Sequence, residues 1–339
     1  MNIRKLEQSE NNSTRFLYEE IFDEDSKAFV DYYYTEKTKD NEIYVIEEDG
    51  KIRSMLHLNP YTVMVNGEEK SVNYIVAVAT QKEYRKRGFM ASLLKQSLND
   101  MYKEGQSFTF LMPAAESIYL PHDFRTVYEQ EKAYYNEEEK LSGFDPEEKD
   151  IVIAPLKEDE CKELAEVVNS YLGTNYQVYA KRDEHYYQRL IKEYGSDGGK
   201  LMLYRKDGKI ADCRIYVPYD EEDEKPKIMV RIVDVRRMLM AVRLKSLTAV
   251  CFTITDPIIE ENNRCVVITG TEFSGIMLMD STPENSEGTV TIAALTSLLF
   301  GAKTVEQVCE EDGVLMSERM KGELEKIIPL SKIYLNEVV

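Results

Sequence analysis

A basic turn that contains glycine lies between a predicted strand and a predicted helix. The apolar run 74–79 predicts a buried strand, and Arg85, Lys86 and Arg87 then precede Gly88 and an amphipathic segment. The first amides of a helix have no backbone partner and the helix dipole is positive there, so this position attracts anions. Glycine also lets the backbone approach a diphosphate closely. The spacing matches neither the Walker nor the GxGxxG pattern, and it predicts a diphosphate site or, more simply, a solvated basic patch.

The elements around this turn are predicted by hydrophobic spacing and by turn residues. Two amphipathic helices come first, within residues 16–33, and two hairpins follow at Asp49-Gly50 and Asn66-Gly67. Apolar residues at helical spacing run from Met90 to Met101, and residues 107–112 form a short apolar strand. The pattern indicates a mixed α/β unit in which the basic turn joins a strand to a helix.

The same order of elements recurs more weakly along the chain. Helical segments near 158–171 and 183–194 precede a hairpin within 200–217 that is folded at Asp207-Gly208. The tetrapeptide Asp-Gly-Lys-Ile occurs in this hairpin and in the first one, which favours an internal duplication without establishing it. The acidic linker 220–226 is interpreted as a solvated loop, and further strands and helices follow it.

Composition narrows the classes of function. The chain has 339 residues, enough for two or three domains. It contains 43 basic and 62 acidic residues, which gives a formal charge of −19. Such a field repels phosphate backbones and anionic lipid headgroups, and it attracts cations. We therefore expect neither a nucleic-acid partner nor a membrane partner, and we expect a cationic substrate.

Cysteine and histidine usage indicates a reduced compartment. The five cysteines are scattered without a CxxC pair, and there are only three histidines. No apolar run approaches the ~20 residues of a membrane span, and the polar start has no hydrophobic leader region. We expect a cytoplasmic protein without a metal site.

The basic turn and its flanking elements resemble a known motif. A strand, then Arg85-x-x-Gly88-x-Met90, then a helix is similar to motif A of the GNAT acetyltransferases, with Met90 in place of the usual small residue. In that family the turn cradles the pyrophosphate of acetyl-CoA and the strand hydrogen-bonds the pantetheine arm, so the resemblance implies acetyl-CoA as co-substrate and no metal. The implied cofactor-binding residues are Val78, Ala79, Thr80, Arg85, Lys86, Arg87, Gly88, Phe89, Met90, Ala91, Ala115 and Glu116.

A second segment of the same family follows the next strand. Residues 113–124 resemble the Ile-Tyr-x-x-Phe-Gly-Phe/Tyr segment, in which the tyrosine lies beside the CoA sulfur. The resemblance implies that Tyr119 is the general acid that protonates the departing thiolate. His122 and Asp123 stand where the family has an aromatic residue and glycine. Without the resemblance, Tyr119 is interpreted as a packed amphipathic side chain.

The order of the units resembles that of the enhanced intracellular survival (Eis) acetyltransferases. The implied fold class is α/β (α+β), with two GNAT-like mixed-sheet domains followed by a sterol-carrier-like α/β domain. The implied boundaries are 1–149 for the catalytic domain with the acetyl-CoA site, 150–225 for a central GNAT-like domain without motif A, and 226–339 for the sterol-carrier-protein-like domain. The family also implies a homo-oligomer, for which a hexamer is the expectation.

The resemblance extends to the end of the chain. In Eis-like enzymes the terminal α-carboxylate enters the active site as general base, and Val339 carries it here. The apolar run 334–339 favours an ordered strand over the frayed end that is usual for last residues.

The implied acceptor is the amine of a cationic molecule, such as an aminoglycoside, a polyamine or a Lys-type amine of a peptide. Candidate contacts to it, which otherwise are surface charges, are Asp23, Glu24, Asp25 and Glu337. The alternative function is that of a lipid or small-ligand binding protein with a vestigial acetyltransferase fold.

Overall fold

The computed structural model describes residues 2–131, 134–135, 151–218 and 225–337. Within them the strands are β1 (Asn2–Lys5), β2 (Glu42–Glu48), β3 (Lys51–Val65), β4 (Glu68–Thr80), β5 (Phe108–Leu111), β6 (Arg125–Glu129), β7 (Tyr134–Tyr135), β8 (Ile151–Pro155), β9 (Val178–Ala180), β10 (Lys200–Lys206), β11 (Lys209–Tyr216), β12 (Lys227–Ile232), β13 (Arg243–Leu244), β14 (Thr248–Thr255), β15 (Arg264–Thr271), β16 (Gly275–Ser281), β17 (Gly288–Thr291), β18 (Leu315–Met316), β19 (Ile327–Ile328) and β20 (Ile333–Tyr334). The helices are α1 (Arg15–Ile21), α2 (Lys27–Thr35), α3 (Phe89–Lys103), α4 (Glu116–Tyr119), α5 (Cys161–Asn175), α6 (Glu184–Ser196), α7 (Val235–Ala241), α8 (Ile292–Leu299), α9 (Val305–Cys309) and α10 (Glu318–Leu324). Parallel and antiparallel pairs share sheets, which confirms the mixed α/β prediction.

The first sheet has the order β1-β2-β3-β4-β5-β12-β6, with β9 beside β3. The hairpins predicted at Asp49-Gly50 and Asn66-Gly67 are confirmed, and all four turn residues have positive φ, which Asp, Asn and Gly tolerate. Successive residues of β3 then face opposite layers of core. Met55 packs with the core of α1 and α2, whereas Leu56 packs with that of α3.

Two strands are exchanged between neighbouring sheets. β12 lies between β5 and β6 in the first sheet, antiparallel to both, although it follows the second hairpin unit in sequence. β7 leaves the first unit and pairs with β11 in a second sheet of order β7-β11-β10-β8. β12 belongs to the range 226–339 that is expected for the sterol-carrier-like domain, and it is buried inside the first sheet.

The C-terminal unit is a sheet of order β16-β15-β14-β17-β18 with α8 at its centre. Every residue of α8 is buried, as expected for a helix that is apolar on all sides. This unit packs directly on the first sheet, because Phe300 at the end of α8 lies edge-on to Phe108 of β5, with ring centroids 5.4 Å apart. The last unit and the first sheet therefore share one continuous core.

The chain end returns to the first sheet. β20 pairs in parallel with β9, and β9 pairs with residues 63–65 of β3. Leu335 is fully buried and Glu337 is 3 % exposed, so the ordered ending that the sequence predicts is confirmed as far as residue 337.

Among the described residues, no helix is both long enough and apolar enough to cross a membrane. The five cysteines are free, and the sulfurs of Cys251 and Cys265 lie 3.5 Å apart on neighbouring strands.

Candidate active site

The turn between β4 and α3 leaves a helix N-terminus open. Lys86 and Gly88 both adopt left-handed backbone conformations, with φ of 62° and 78°, and α3 begins at Phe89. No side chain caps the helix, and a methyl group built on Gly88 meets no atom within 4 Å. The first amides of α3 therefore face open space, as an anion site requires.

The basic side chains of this turn are exposed and hold its backbone. Arg85 Nε donates to the carbonyl of Thr80 at 3.1 Å, and Arg87 Nη2 donates to that of Glu83 at 2.9 Å. The Arg87 guanidinium lies 4.7 Å from the centroid of the Tyr84 ring. These contacts shape the turn and keep positive charge around the start of the helix.

The strand before the turn separates from its neighbour. β4 pairs with β5 at one position only, Tyr74 with Phe110, so the two strands diverge beyond it. Beyond that position, after Ile75 and Val76, β4 contains a bulge, because Ala77 and Val78 together oppose a single residue of β3. Ala77 has a φ of 50°, which is uncommon for alanine. The bulge and the divergence create a gap at the sheet centre, next to Val78, Ala79 and Thr80.

Tyr119 ends the short helix after β5. Its side chain is buried and contacts Phe124 edge-on, with ring centroids 5.9 Å apart. Burial raises the pKa of Tyr119 to about 12, and no side chain among the described residues hydrogen-bonds its hydroxyl. The phenol is therefore protonated at neutral pH and has its proton available for another group.

Glu116 already has protein partners. Its carboxylate accepts from the Thr126 hydroxyl and from Lys227 Nζ at 3.0 Å, and these hydrogen bonds lower its pKa. The carboxylate thus ties α4 to β6 and β12. Ala115, which precedes this helix, is exposed.

The turn after Tyr119 is held by a buried arginine. Asp123 adopts a left-handed conformation with a φ of 65°, which aspartate tolerates in place of glycine. Arg231 of β12 donates from Nε to the carbonyl of His122 at 3.0 Å, and from Nη2 to Asp256 of the C-terminal unit at 2.6 Å. The substitution of the family glycine is therefore accommodated by the backbone at Asp123 and supported from two other elements.

A cavity of about 800 Å³ lies between β3, the helices of the central unit and the chain end. Tyr61 lines it and lies 6.0 Å, centroid to centroid, from Phe110, the last residue of β5 to pair with β4. The Tyr61 and Phe110 rings thus stand between the cavity and the place where the two strands diverge. Its buried ionisable lining residues include Lys37, Glu193 and Glu337.

Burial favours the neutral forms of the ionisable side chains in this cavity. It raises the pKa of Glu193 and of Glu337, and it lowers the pKa of Lys37. Tyr186 donates its hydroxyl to one oxygen of Glu337 at 3.4 Å, and the other oxygen has no partner among the described residues. Such a carboxylate can take up a proton or an ammonium group.

Comparison with known proteins identifies the first unit. The sequence profile of the acetyltransferase (GNAT) domain matches residues 2–127. The chain carries a GNAT acetyltransferase domain. The profile of the sterol carrier protein domain matches residues 235–336, so the chain is an acyltransferase whose GNAT domain is joined to a C-terminal sterol carrier protein domain. A search of curated protein sequences finds no relative.

Solved structures share the fold over the whole chain. A probable N-acyltransferase from Enterococcus faecalis V583 has a TM-score of 0.75 at 15 % identity and covers 100 % of this chain and 99 % of its own. Eis1 from Mycobacterium abscessus has a TM-score of 0.67 at 12 % identity, with 97 % of each chain covered. A GCN5-related N-acetyltransferase from Anabaena variabilis has a TM-score of 0.73 at 13 % identity, and covers 98 % of this chain and 99 % of its own. At these identities the likeness concerns the fold.

The structure brings some of the predicted site residues together and separates others. The basic turn, the end of β4 and the start of α3 surround one open helix N-terminus of the GNAT domain. Glu337 lines the cavity, whereas Asp23, Glu24 and Asp25 do not. Asp25 instead accepts a hydrogen bond of 2.8 Å from Tyr18. Tyr119 is not among the cavity-lining residues, and Val339 lies outside the described residues.

Sequence reasoning missed most of the cavity. Lys37 follows α2, whereas Arg182 and Glu193 lie just before and within α6, and no motif around them signals a site. Within the part of the chain that the structure describes, no group of three or more His, Cys, Asp or Glu side chains is arranged to hold a metal ion.

Proposed function

We propose that the chain is an acetyl-CoA-dependent N-acetyltransferase that moves the acetyl group to an amine of a cationic acceptor, such as an aminoglycoside, a polyamine or a Lys-type amine. The observation that carries the proposal is the single pairing position between β4 and β5, at Tyr74 and Phe110, shortly before the bulge of β4. A gap in the sheet at that place admits an extended thioester between two strands, and the basic turn lies at the far end of the same strand.

In this proposal acetyl-CoA follows β4. The amides of Phe89, Met90 and Ala91 bind the diphosphate, with Lys86 and Arg87 beside it, and the backbone of Val78 to Thr80 accompanies the pantetheine. The backbone N–H groups near the bulge polarise the thioester carbonyl. The residues fit this substrate because the helix start has no capping side chain and Gly88 has open space around it.

The chemical step needs one acid and one base. The neutral amine attacks the thioester carbon, a C–N bond forms, the C–S bond breaks, and the amine nitrogen gives up a proton. Tyr119 donates its hydroxyl proton to the departing thiolate, and its burial, which raises its pKa to about 12, supports this role because the phenol stays protonated before the step. The α-carboxylate of Val339 takes the proton from the amine.

The base assignment is supported by the path of the chain end. Ile333 and Tyr334 form a strand beside β9, and Gln130 Nε2 donates to the carbonyls of Leu335 and Glu337 at 3.2 and 3.1 Å. These bonds hold the chain end beside the cavity. Positioning of amine and thioester in one gap supplies a further part of the rate enhancement.

The acceptor class rests on charge. The formal charge of −19 attracts cations over distance, and Glu193 and Glu337 offer buried carboxylates to an ammonium group inside the cavity.

We also propose that the protein is cytoplasmic and a homo-oligomer, and sedimentation of the purified chain tests its assembly.

The deciding experiment measures CoA release from acetyl-CoA with a panel of amines, with the acetylated product identified by mass spectrometry. We expect amine-dependent release. The alternative, a lipid-binding protein with a vestigial acetyltransferase fold, predicts bound lipid in native mass spectra and no heat of binding with acetyl-CoA.

A further inference from the structure

Two cationic side chains, the buried Lys37 and the half-buried Arg182, line the proposed acceptor cavity, and they are unexpected in a site for a cation. Lys37 is 6 % exposed, its Nζ donates to the Tyr61 hydroxyl at 3.2 Å, and it lies 5.4 Å from the centroid of that ring. The Arg182 guanidinium lies over the rings of Tyr186 and Tyr334, at 5.3 and 5.4 Å from their centroids. We call the two cations the Lys37–Arg182 site.

The cavity glutamates attract the two cations without a direct ion pair among the described residues. Among the described residues, Lys37 and Arg182 form no ion pair, and the buried Nε of Arg182 has no hydrogen-bond partner. Most other arginines of this chain have carboxylate or carbonyl partners, such as Arg231 with Asp256. Because neither cation has a carboxylate in direct contact, both groups gain from an anion that enters the cavity and accepts their hydrogen bonds.

The anion has to coexist with two carboxylates. Glu193 and Glu337 line the same cavity, and favourable interactions with Arg182 and Lys37 oppose the effect of burial on the pKa of Glu337. A singly charged carboxylate suits this mixed lining better than a phosphate, which brings a higher negative charge near both glutamates. Guanidinium and ammonium groups are both good donors to a carboxylate.

We propose that the Lys37–Arg182 site binds a carboxylate of the acceptor, so that the acceptor is an amine that also carries a carboxylate, as an amino acid or a peptide end does. The inference rests on the proposed function and selects the Lys-type amine among the acceptor classes named there. Glu193 and Glu337 then face the ammonium group and the two cations face the carboxylate.

Three probes of equal length test the inference: 6-aminohexanoate, hexylamine and 1,6-diaminohexane. We expect kcat/KM for 6-aminohexanoate to exceed that for each of the other two at least tenfold. Lys37→Met should lower kcat/KM for 6-aminohexanoate about tenfold more than kcat/KM for hexylamine, whereas Lys37→Arg should retain the preference. Lys181→Met is the matched control, because Lys181 is an exposed cavity residue that is already paired with Glu69.

Calorimetry of 6-aminohexanoate without acetyl-CoA separates this inference from the proposed function. Binding that weakens tenfold in Lys37→Met supports the site even if no acetyl transfer occurs. Transfer to all three amines at equal rates overturns the inference and leaves the acetyltransferase proposal standing. Binding only after removal of Val338 and Val339 also overturns it, because the cations then serve the chain's own end. Thermal unfolding of each variant verifies that it is folded.

Discussion

Arg231 and Asp256 form a fully buried ion pair with a nitrogen–oxygen distance of 2.6 Å, and neither side chain is exposed. Arg231 belongs to the exchanged strand β12 and Asp256 to the C-terminal unit, while the same guanidinium donates to His122, three residues after Tyr119. Asp256 in turn accepts from the amides of Ile258 and Ile259. The C-terminal unit is thereby connected through two residues to the turn that positions the candidate general acid.

Loss of this pair should destabilise the protein strongly. We expect Arg231→Met to lower the free energy of unfolding by about 3–5 kcal/mol, because Asp256 becomes an uncompensated buried charge. Urea unfolding measures this free energy. Arg236→Met is the control, since Arg236 makes an exposed pair with Asp280. A loss below about 1 kcal/mol in Arg231→Met would show that water or another group replaces the guanidinium.

The diphosphate site is tested by alanine at Gly88, with alanine at Gly67 as the matched control. Both have positive φ, 78° and 89°, and at neither does an added methyl group meet an atom within 4 Å. Alanine at either position should therefore cost about 1–2 kcal/mol of stability through backbone strain alone. Only Gly88→Ala should also raise the KM for acetyl-CoA, by about tenfold, as steady-state kinetics would reveal. Equal KM values in the two variants would argue against diphosphate binding at this turn.

Tyr119→Phe keeps the ring that packs on Phe124 and removes the proton donor. General acid catalysis contributes about 10²–10⁴-fold, so kcat should fall at least 100-fold with little change in thermal stability. Tyr44→Phe is the control, because that hydroxyl contacts Asp100 at 3.3 Å, outside the site. If the Tyr119 variant turns over normally, the thiolate obtains its proton elsewhere.

The terminal carboxylate is tested by moving it. Removal of Val338 and Val339 should lower kcat about 100-fold or more, and one added alanine, which shifts the carboxylate by about 3.5 Å, should have a similar effect. Calorimetric binding of acetyl-CoA should be unchanged in both chains, because the turn at Gly88 is untouched. Full activity of the extended chain would exclude the terminal carboxylate as base.

His57 should make the fold sensitive to acid. It is fully buried beside Tyr33, whose hydroxyl lies 2.9 Å from its Nδ1, and burial lowers its pKa to about 3 from a usual value near 6.5. The unfolded chain therefore binds more protons between pH 6.5 and pH 3, so the contribution of neutral His57 is present above pH 6.5 and is lost as pH falls. Between pH 6.5 and 4.5 the wild type should lose about 2–3 kcal/mol more than His57→Gln in urea unfolding. The exposed His185→Gln should behave like the wild type, and identical slopes in all three would contradict the assignment.

The sequence alone determined the parts of this protein that are local. Two-residue turns such as Asn66-Gly67 need positive φ at both positions, and few residues other than Asn, Asp and Gly tolerate it, so the hairpins were predictable. The basic turn before α3 was also predictable from local sequence, since strand, glycine and helix follow one another within about fifteen residues.

Only the tertiary structure decided which distant segments meet. β12 contains the apolar run Ile228–Val230, and such a run fits any location that is covered on both faces, so its place between β5 and β6 could not be predicted from its pattern. Lys37, Arg182 and Glu337 are separated by more than a hundred residues at each step, and each is an ordinary charged residue in its own segment. Their chemistry arises because they line one cavity. Little water screens them there, so the charged state of each group depends on the others.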